Sequence, residues 1–460
     1  MVGTSGAAVL IGMRYHKLKP KEENLDAENV WLQTDTWYHP RSQALSRGFA
    51  EAFGDLEMES LPSLRKKLHR TGGEGVDGSD REFFEGIRLQ WQVCRGLPAH
   101  PVPRLLLPGQ WQNGIQFRNL LLAHLERFPE ARDMPVKRPL FVTGLPSSGF
   151  SLLHRLLSLD PATRSPLLLE LLAPAAAPLS ASQAAALAST ELHRAASKNL
   201  AWQERLWPGW MAWARRFHDD ASLEGPGEDS ALFVQGGFDC LRTQLLLDPS
   251  FSRWLADSSS KRSHYRLLRR FLQTRQHVHP PASHWVCKAS AHMLYPDRLL
   301  EEFPDASVVY VACPAARLLP FLLLQSTALQ AVQGLSFSLP VDAIRDGVLS
   351  LAEASLSALH AFALAHPDAP FLTVSHADLL ADPCAVVARI YRHFGYSMSP
   401  QYTALLTEWV LRHPQELAPI PPDPPSILPA FHVSDPLIDR YPQLRANWNS
   451  NPDLFSQPSS

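Results

Sequence analysis

The densest chemistry in this chain lies in eight residues, Gly144 to Ser151, which read GLPSSGFS. Gly144, Gly149 and Ser151 have the spacing of a P-loop, G-x-x-x-x-G-K-[ST], but Phe150 stands where that loop carries lysine. Pro146 stiffens the turn, and Ser147, Ser148 and Ser151 offer hydroxyl donors. A helix that starts here exposes unpaired N–H groups and about half a positive charge, and a glycine-rich turn lets an anion approach them. The segment predicts a backbone cradle for a phosphate-like group whose usual cation is missing. The same glycines also suit an ordinary strand–helix turn. The apolar run before them and the amphipathic run after them favour the anion cradle. An NTPase is disfavoured: Phe150 removes the phosphate lysine, and the later strand 307–312 ends in Cys313-Pro314 rather than a magnesium-binding Asp.

Two further residues could serve such a site. Lys288 follows the apolar strand 285–287, and a side chain at the C-terminal end of a parallel strand points into the usual ligand crevice. The alternative is a solvated strand-end charge. His292, four residues on, is a possible general base, or a turn or capping residue. Trp202, Trp207, Trp210 and Trp213 cluster ahead of Arg215-Arg216. They suit an aromatic acceptor pocket, although a helical cap packed on the core explains them more simply. His218-Asp219-Asp220 lacks the i, i+4 spacing of a helical metal site and reads as a solvated loop.

The elements that must position these residues follow from periodicity. Pro139–Thr143 is a short apolar run bounded by turn residues, as a strand buried in a parallel sheet requires. Leu152, Leu153, Leu156 and Leu157 then mark a helix face, stopped by Asp160-Pro161. The strand-then-helix rhythm returns at 284–287, 307–312 and 370–374, so βαβ units are expected. Residues 1–40 read as an extended lead-in and 41–136 as an N-terminal helical region, with a loop at 71–80. Roughly 180–280 reads as helical insertions with a loop at 224–229. Residues 416–460 read as a proline-rich tail, poorly ordered from Asn447.

Composition narrows the function classes. With 460 residues, 45% hydrophobic, the chain can bury a large core. Forty-three Lys and Arg against 45 Asp and Glu leave no basic excess, so nucleic acid is not the expected partner. Five scattered cysteines without C-x-x-C spacing suggest neither a disulfide framework nor a zinc site. No apolar run reaches the ~18–20 residues of a membrane span, and no secretory leader is evident, so a cytoplasmic location is expected.

At this point Arg138–Pro161, RPLFVTGLPSSGFSLLHRLLSLDP, resembles the phosphosulfate loop of bacterial-type sulfotransferases, which usually reads RPVFIVGLPRTGTTLLHRLLALDP. Further segments match in order. Residues 265–272 resemble the family's YRYHRRVLQ, 285–292 its RWVLKSPGH, 303–310 the strand before its 3′-phosphate site, and 380–395 its LVADPVATVRRIYAHFG. The resemblance covers more than half of the chain. It implies an α/β fold, a P-loop-like parallel sheet flanked by helices, over 137–415. It also implies transfer of a sulfuryl group from 3′-phosphoadenosine 5′-phosphosulfate (PAPS), without a metal, to a hydroxyl of a small-molecule or lipid acceptor. By the same resemblance Glu170 is the expected general base with His292 as the alternative, Lys288 contacts sulfate, and Arg317 matches the second Arg of HRDPAR. Gly144, Pro146, Ser147, Ser148, Gly149, Phe150 and Ser151 hold the nucleotide.

The departures from the family pattern all concern anion contacts. The loop Arg of GLPRTGTT is Ser147. The 3′-phosphate Arg and Ser of HRDPARVVPS are Cys313 and Phe321, and YEDL is Ser375-His-Ala-Asp-Leu379. A hydrogen bond to a charged group contributes roughly 1.5–3 kcal/mol, so three uncompensated losses cost on the order of 4–9 kcal/mol of binding. The sequence therefore sets a sulfuryl-transferring enzyme against a catalytically inactive binding or scaffold module on the same fold.

Overall fold

The computed structural model describes residues 79–96, 101–172, 225–235, 249–332, 341–417 and 435–449. Four strands, β1 (Leu140–Thr143), β2 (Val286–Lys288), β3 (Ser307–Ala312) and β4 (Phe371–Ser375), form one parallel sheet in the order β2-β1-β3-β4. The register pairs Leu140 of β1 with Val286 on one side and Ser307 on the other. Each strand lies within two residues of the run expected from sequence. The strands are apolar on both faces because both are covered. Leu140, Val142, Val309, Val311 and Val374 point into one core, and Phe141, Cys287, Val308, Tyr310 and Ala312 into the other.

The helices in chain order are α1 (Ser79–Gly96), α2 (Pro101–Arg127), α3 (Pro129–Asp133), α4 (Phe150–Leu157), α5 (Leu168–Leu172), α6 (Ser230–Gln235), α7 (Pro249–Ala256) and α8 (Arg262–Val278). They continue as α9 (Pro296–Glu302), α10 (Ala315–Val332), α11 (Val341–Ala365), α12 (His376–Ala381), α13 (Pro383–Phe394), α14 (Pro400–Arg412), α15 (Asp435–Ile438) and α16 (Pro442–Ala446). α4 buries Leu152, Leu153, Leu156 and Leu157 with α13 and α14 on one face of the sheet. α2, α8, α9, α10 and α11 cover the other face. β1 thus feeds a helix on one face and its neighbour β3 feeds α10 on the opposite face. That is the topological switch at which open α/β sheets hold ligands, beyond the carboxyl ends of the strands.

Within the span 41–136 the described elements are α1, α2 and α3, and α1 and α2 pack Phe83, Ile87, Trp111 and Phe117 into the core. Residues 1–78, the tryptophan cluster 202–213, His218-Asp219-Asp220 and most of the proline-rich segment lie outside the described residues. Two expectations change. Within α11, residues 342–365 are long and apolar enough to cross a membrane by length and composition, although the sequence reading found no such run. Ile344, Val348, Leu349, Ala352, Leu356 and Leu359 of this helix instead sit in the core. The second change concerns the tail. Ile438, Tyr441 and Leu444 are buried, and Glu353 of α11 accepts the first-turn amides of Gln443 and Leu444 at 3.0 and 2.9 Å. Within the described residues 435–449, Asn447 and Trp448 are anchored by apolar burial and a charged cap.

Candidate functional site

The loop between β1 and α4 fills the β1/β3 switch point. Ser148 N–H donates to the Leu145 carbonyl at 3.0 Å, closing a tight turn. Gly149, the N-cap of α4, has φ +89°, a left-handed conformation that favours glycine. A Cβ on Gly149 would lie 2.7 Å from His376 Nδ1, and one on Gly144 would lie 2.4 Å from Ser148 Oγ and 3.0 Å from the Val311 carbonyl. Both glycines are therefore required by close approach as well as by the turn. Ser147 also has positive φ, +69°, which costs roughly 1–2 kcal/mol for a residue with a Cβ. Strain of this kind persists where the surroundings impose it, as at ligand clamps.

Within this turn the Ser147 and Ser148 hydroxyls are buried and have no hydrogen-bond partner. Buried polar atoms are nearly always paired, so two adjacent orphans in a glycine-bounded turn mark a place for an added ligand oxygen. His376, from the first turn of α12, uses Nδ1–H to donate to the Ser148 carbonyl at 2.7 Å, and its Nε2 is left without a partner. Burial lowers its pKa, and the nearby Arg317 charge adds to that effect. A neutral imidazole braces the loop from below. The sequence singled out 375–379 only as a departure from YEDL; the strand-end position of His376 was the available signal for this role.

Lys288 brings an ammonium group to the start of α4. It ends β2, beside β1, and its Nζ donates to Ser151 Oγ at 2.9 Å in the first turn of α4. The same ammonium stands 5.1 Å from the centroid of the Phe150 ring. The aromatic residue that replaces the P-loop lysine thus stacks under a lysine from the next strand. Glu228 Oε2 lies 3.6 Å from Lys288 Nζ. The Glu228 turn is fastened to β2, since Asp229 N–H donates to the Lys288 carbonyl at 2.8 Å. It is also paired with the segment before α5, through Gly227 N–H to Pro166 and Leu168 N–H to Gly225.

The two bases expected from sequence are placed differently. Glu170, in α5, receives Arg164 Nη2 on Oε1 at 2.6 Å and the Leu167 amide on Oε2 at 3.0 Å, with Arg275 Nε 4.0 Å away. Arg164 in turn donates to the carbonyls of Arg275 and His279 and lies over the Trp285 ring. Both Glu170 oxygens therefore serve a partly buried ionic junction. His292 is fully buried, with Nδ1 accepting from the Tyr265 hydroxyl at 3.0 Å and Nε2 3.6 Å from Asp229 Oδ2. Its ring sits edge-on to Phe141 and Phe233. Burial raises the Asp229 pKa. This polar triad supports the 228–229 turn from inside the core.

The far side of the switch point, after β3, is built differently. Cys313 is buried, and desolvation pushes its thiol up to about 12, so it is neutral. Phe321 is also buried. The first-turn amides of α10 do not face an open site: Ala315 N–H donates to the Asn447 carbonyl at 2.8 Å and Ala316 N–H to the Trp448 carbonyl at 3.0 Å. Arg317 lies in the first turn of α10, and its charge lowers the pKa of both Cys313 and His376. Among the described residues no group of three His, Cys, Asp or Glu side chains converges as a metal site would. The loop side fits the 5′-phosphosulfate of an adenylyl donor, having a glycine cradle, two orphaned hydroxyls and a lysine. The α10 side does not fit a 3′-phosphate in the same way.

The model of the sulfotransferase family matches residues 139–400. Two solved structures are similar over nearly their whole length. Sulfotransferase STF1 from Mycobacterium tuberculosis H37Rv has TM-score 0.66 and 22% identity, covering 84% of this chain and 99% of that one. Sulfotransferase STF9 from Mycobacterium avium has TM-score 0.65 and 21% identity, covering 85% of this chain and 98% of that one. No curated protein matches the chain.

Proposed function

Since the chain belongs to the sulfotransferase family, we propose that it transfers a sulfuryl group from a nucleotide phosphosulfate donor, PAPS in the family, to a hydroxyl of a small-molecule or lipid acceptor. The observation that carries this reading is the Lys288–Ser151 contact at the mouth of the loop. It puts a cation beside the helix N-terminus although both the P-loop lysine and the family's loop arginine are absent. When bound, the donor supplies the electrophile: the acceptor oxygen forms a bond to sulfur, the S–O bond to the 5′-phosphate breaks with its electron pair, and the acceptor proton leaves to a base.

The chain's own groups divide that work. The loop amides and the Ser147, Ser148 and Ser151 hydroxyls bind the phosphosulfate oxygens, with Gly144, Pro146 and Gly149 shaping the turn. Lys288 stabilises the charge that grows on the departing 5′-phosphate, an electrostatic contribution preorganised by Phe150 and Ser151. Glu228, beside Lys288, is the carboxylate best placed to accept the acceptor proton. Glu170 and the Asp229–His292–Tyr265 triad hold the Glu228 turn in position.

Calorimetric titration with the desulfated nucleotide tests the reading. Binding at micromolar to low millimolar concentration, weakened in Lys288→Ala, is expected. No heat at any concentration up to ~10 mM, with the fold intact, would leave only a binding or scaffold role for the fold.

A further inference from the structure

This inference deepens the proposed function and rests on it. The two ends of the switch-point crevice differ in what they offer an anion. At the loop end the hydroxyls of Ser147 and Ser148 are buried and have no partner, and Lys288 is bonded to Ser151 where the loop enters α4. At the α10 end the equivalent donors are already used. The two first-turn amides that could meet a second phosphate are capped by the carbonyls of Asn447 and Trp448.

This cap is built into the fold. Glu353 fixes the start of α16 through two amide hydrogen bonds, and Leu444 and Ile438 are fully buried. Trp448 packs against the same core, and Asn447 Nδ2 donates to the Gln443 carbonyl at 2.7 Å. A dianion placed against the α10 terminus would meet two carbonyl oxygens in place of two N–H groups. The neighbouring side chains do not reverse that sign, since Cys313 is a buried thiol and Phe321 is apolar. Arg317 remains as a cation near this end. Its charge is one of the causes that lower the pKa of His376, whose Nδ1 is bonded to the Ser148 carbonyl of the loop.

We infer that the site reads the 5′-phosphosulfate of its donor and not a 3′-phosphate, because main-chain carbonyls of the C-terminal segment occupy the first-turn amides of α10 and the buried Cys313 and Phe321 stand where the family pattern has its 3′-phosphate Arg and Ser. The donor class is therefore an adenosine 5′-phosphosulfate, for which the 3′-phosphate of PAPS gives no advantage. The transfer itself is unchanged. Sulfur moves from the 5′-phosphate oxygen to the acceptor oxygen, the nucleotide leaves as its 5′-phosphate, and the acceptor proton goes to the carboxylate base.

The test is a pair of calorimetric titrations of the full chain, with 5′-AMP and with 3′,5′-ADP, repeated on Arg317→Gln. A hydrogen-bonded charge contact is worth tenfold or more in affinity, so equal recognition means dissociation constants within about threefold of each other. The expected result is that near-equality, with Arg317→Gln weakening both nucleotides alike or neither. Tighter binding of 3′,5′-ADP by about tenfold or more would overturn the inference, as would selective weakening of 3′,5′-ADP in the variant. Failure of both nucleotides to bind would instead remove the nucleotide reading of the site, and the inference with it. The donors give a second readout: acceptor-dependent transfer from adenosine 5′-phosphosulfate at a kcat/KM within about threefold of that from PAPS is expected.

Discussion

Lys288 Nζ, from the end of β2, donates to the hydroxyl of Ser151 in the first turn of α4 at 2.9 Å. This contact joins two elements 137 residues apart in sequence. It returns a positive charge to a phosphate-type loop that has lost its own. The Phe150 ring beneath the ammonium helps to hold it there. Substitution of Lys288 by Ala should therefore weaken nucleotide binding by about 10- to 100-fold, the loss of roughly 1.5–3 kcal/mol for one charged hydrogen bond. Calorimetry reads this directly, and an unchanged affinity would refute the role of Lys288. Lys288→Arg should recover only part of the loss, since a planar guanidinium does not reproduce a point charge at Ser151.

Glu228 and Glu170 should separate in kinetics. Glu228→Gln removes the proposed base and should lower kcat by roughly 10²–10⁴-fold with nucleotide affinity nearly unchanged. Glu170→Gln breaks a partly buried ion pair with Arg164 and should instead lower stability by ~3 kcal/mol. Steady-state kinetics and denaturant unfolding on the same two proteins distinguish them. A stable Glu170→Gln protein with the larger loss of kcat would reverse the two assignments.

Gly149→Ala tests the loop geometry. At φ +89° a Cβ costs roughly 1–2 kcal/mol in backbone strain, and it would also press on His376 Nδ1 at 2.7 Å. The variant should lose nucleotide binding more than it loses stability, because the turn can relax only by moving the hydroxyls of Ser147 and Ser148. Equal affinity in the variant would show that the cradle is not where the nucleotide binds.

Lys261 gives a pH dependence remote from the site. Burial lowers its pKa from 10.5 to about 7, while its ammonium lies 3.9 Å from the Trp254 ring centroid and donates to the Trp254 and Asp257 carbonyls. Between pH 7 and 10 the unfolded chain binds more protons at this residue than the folded one, so stability rises with pH. The slope for one such group approaches ~1 kcal/mol per pH unit above pH 7. Denaturant unfolding at pH 7.0 and 8.5 should show the rise in the wild type, and Lys261→Met should flatten it. A slope unaffected by the substitution would assign it to other groups.

Much of the sheet and loop was legible in the sequence, for identifiable reasons. Runs such as Ser307–Ala312 are apolar on both faces, as only a strand covered on both sides requires. The order of Gly144, Gly149 and Ser151 fixes a turn that few other folds need. The bases were harder to place. Glu170 was expected as the base because it resembles the family's post-loop Glu, but its partners Arg164 and Arg275 meet it only through folding. Glu228 sits in a glycine-proline turn that carries no periodic signal, and its relation to Lys288 depends on the amide bond from Asp229 to β2. The C-terminal cap was equally hidden. Asn447 and Trp448 act through backbone carbonyls, which no residue type announces, and the surrounding proline-rich composition pointed toward an unanchored tail.

Sulfuryl transfer at the Gly144–Ser151 loop, assisted by Lys288, can be followed without knowing the natural acceptor. The most direct measurement follows sulfur itself. The protein is incubated with ³⁵S-labelled adenosine 5′-phosphosulfate or PAPS and a mixed set of phenolic and lipid alcohols, and labelled organic product is extracted and counted. Labelled product is expected with the wild type, reduced at least tenfold in Lys288→Ala and Glu228→Gln. Nucleotide binding by the wild type without label reaching any acceptor, or transfer that survives both substitutions intact, would contradict this reading.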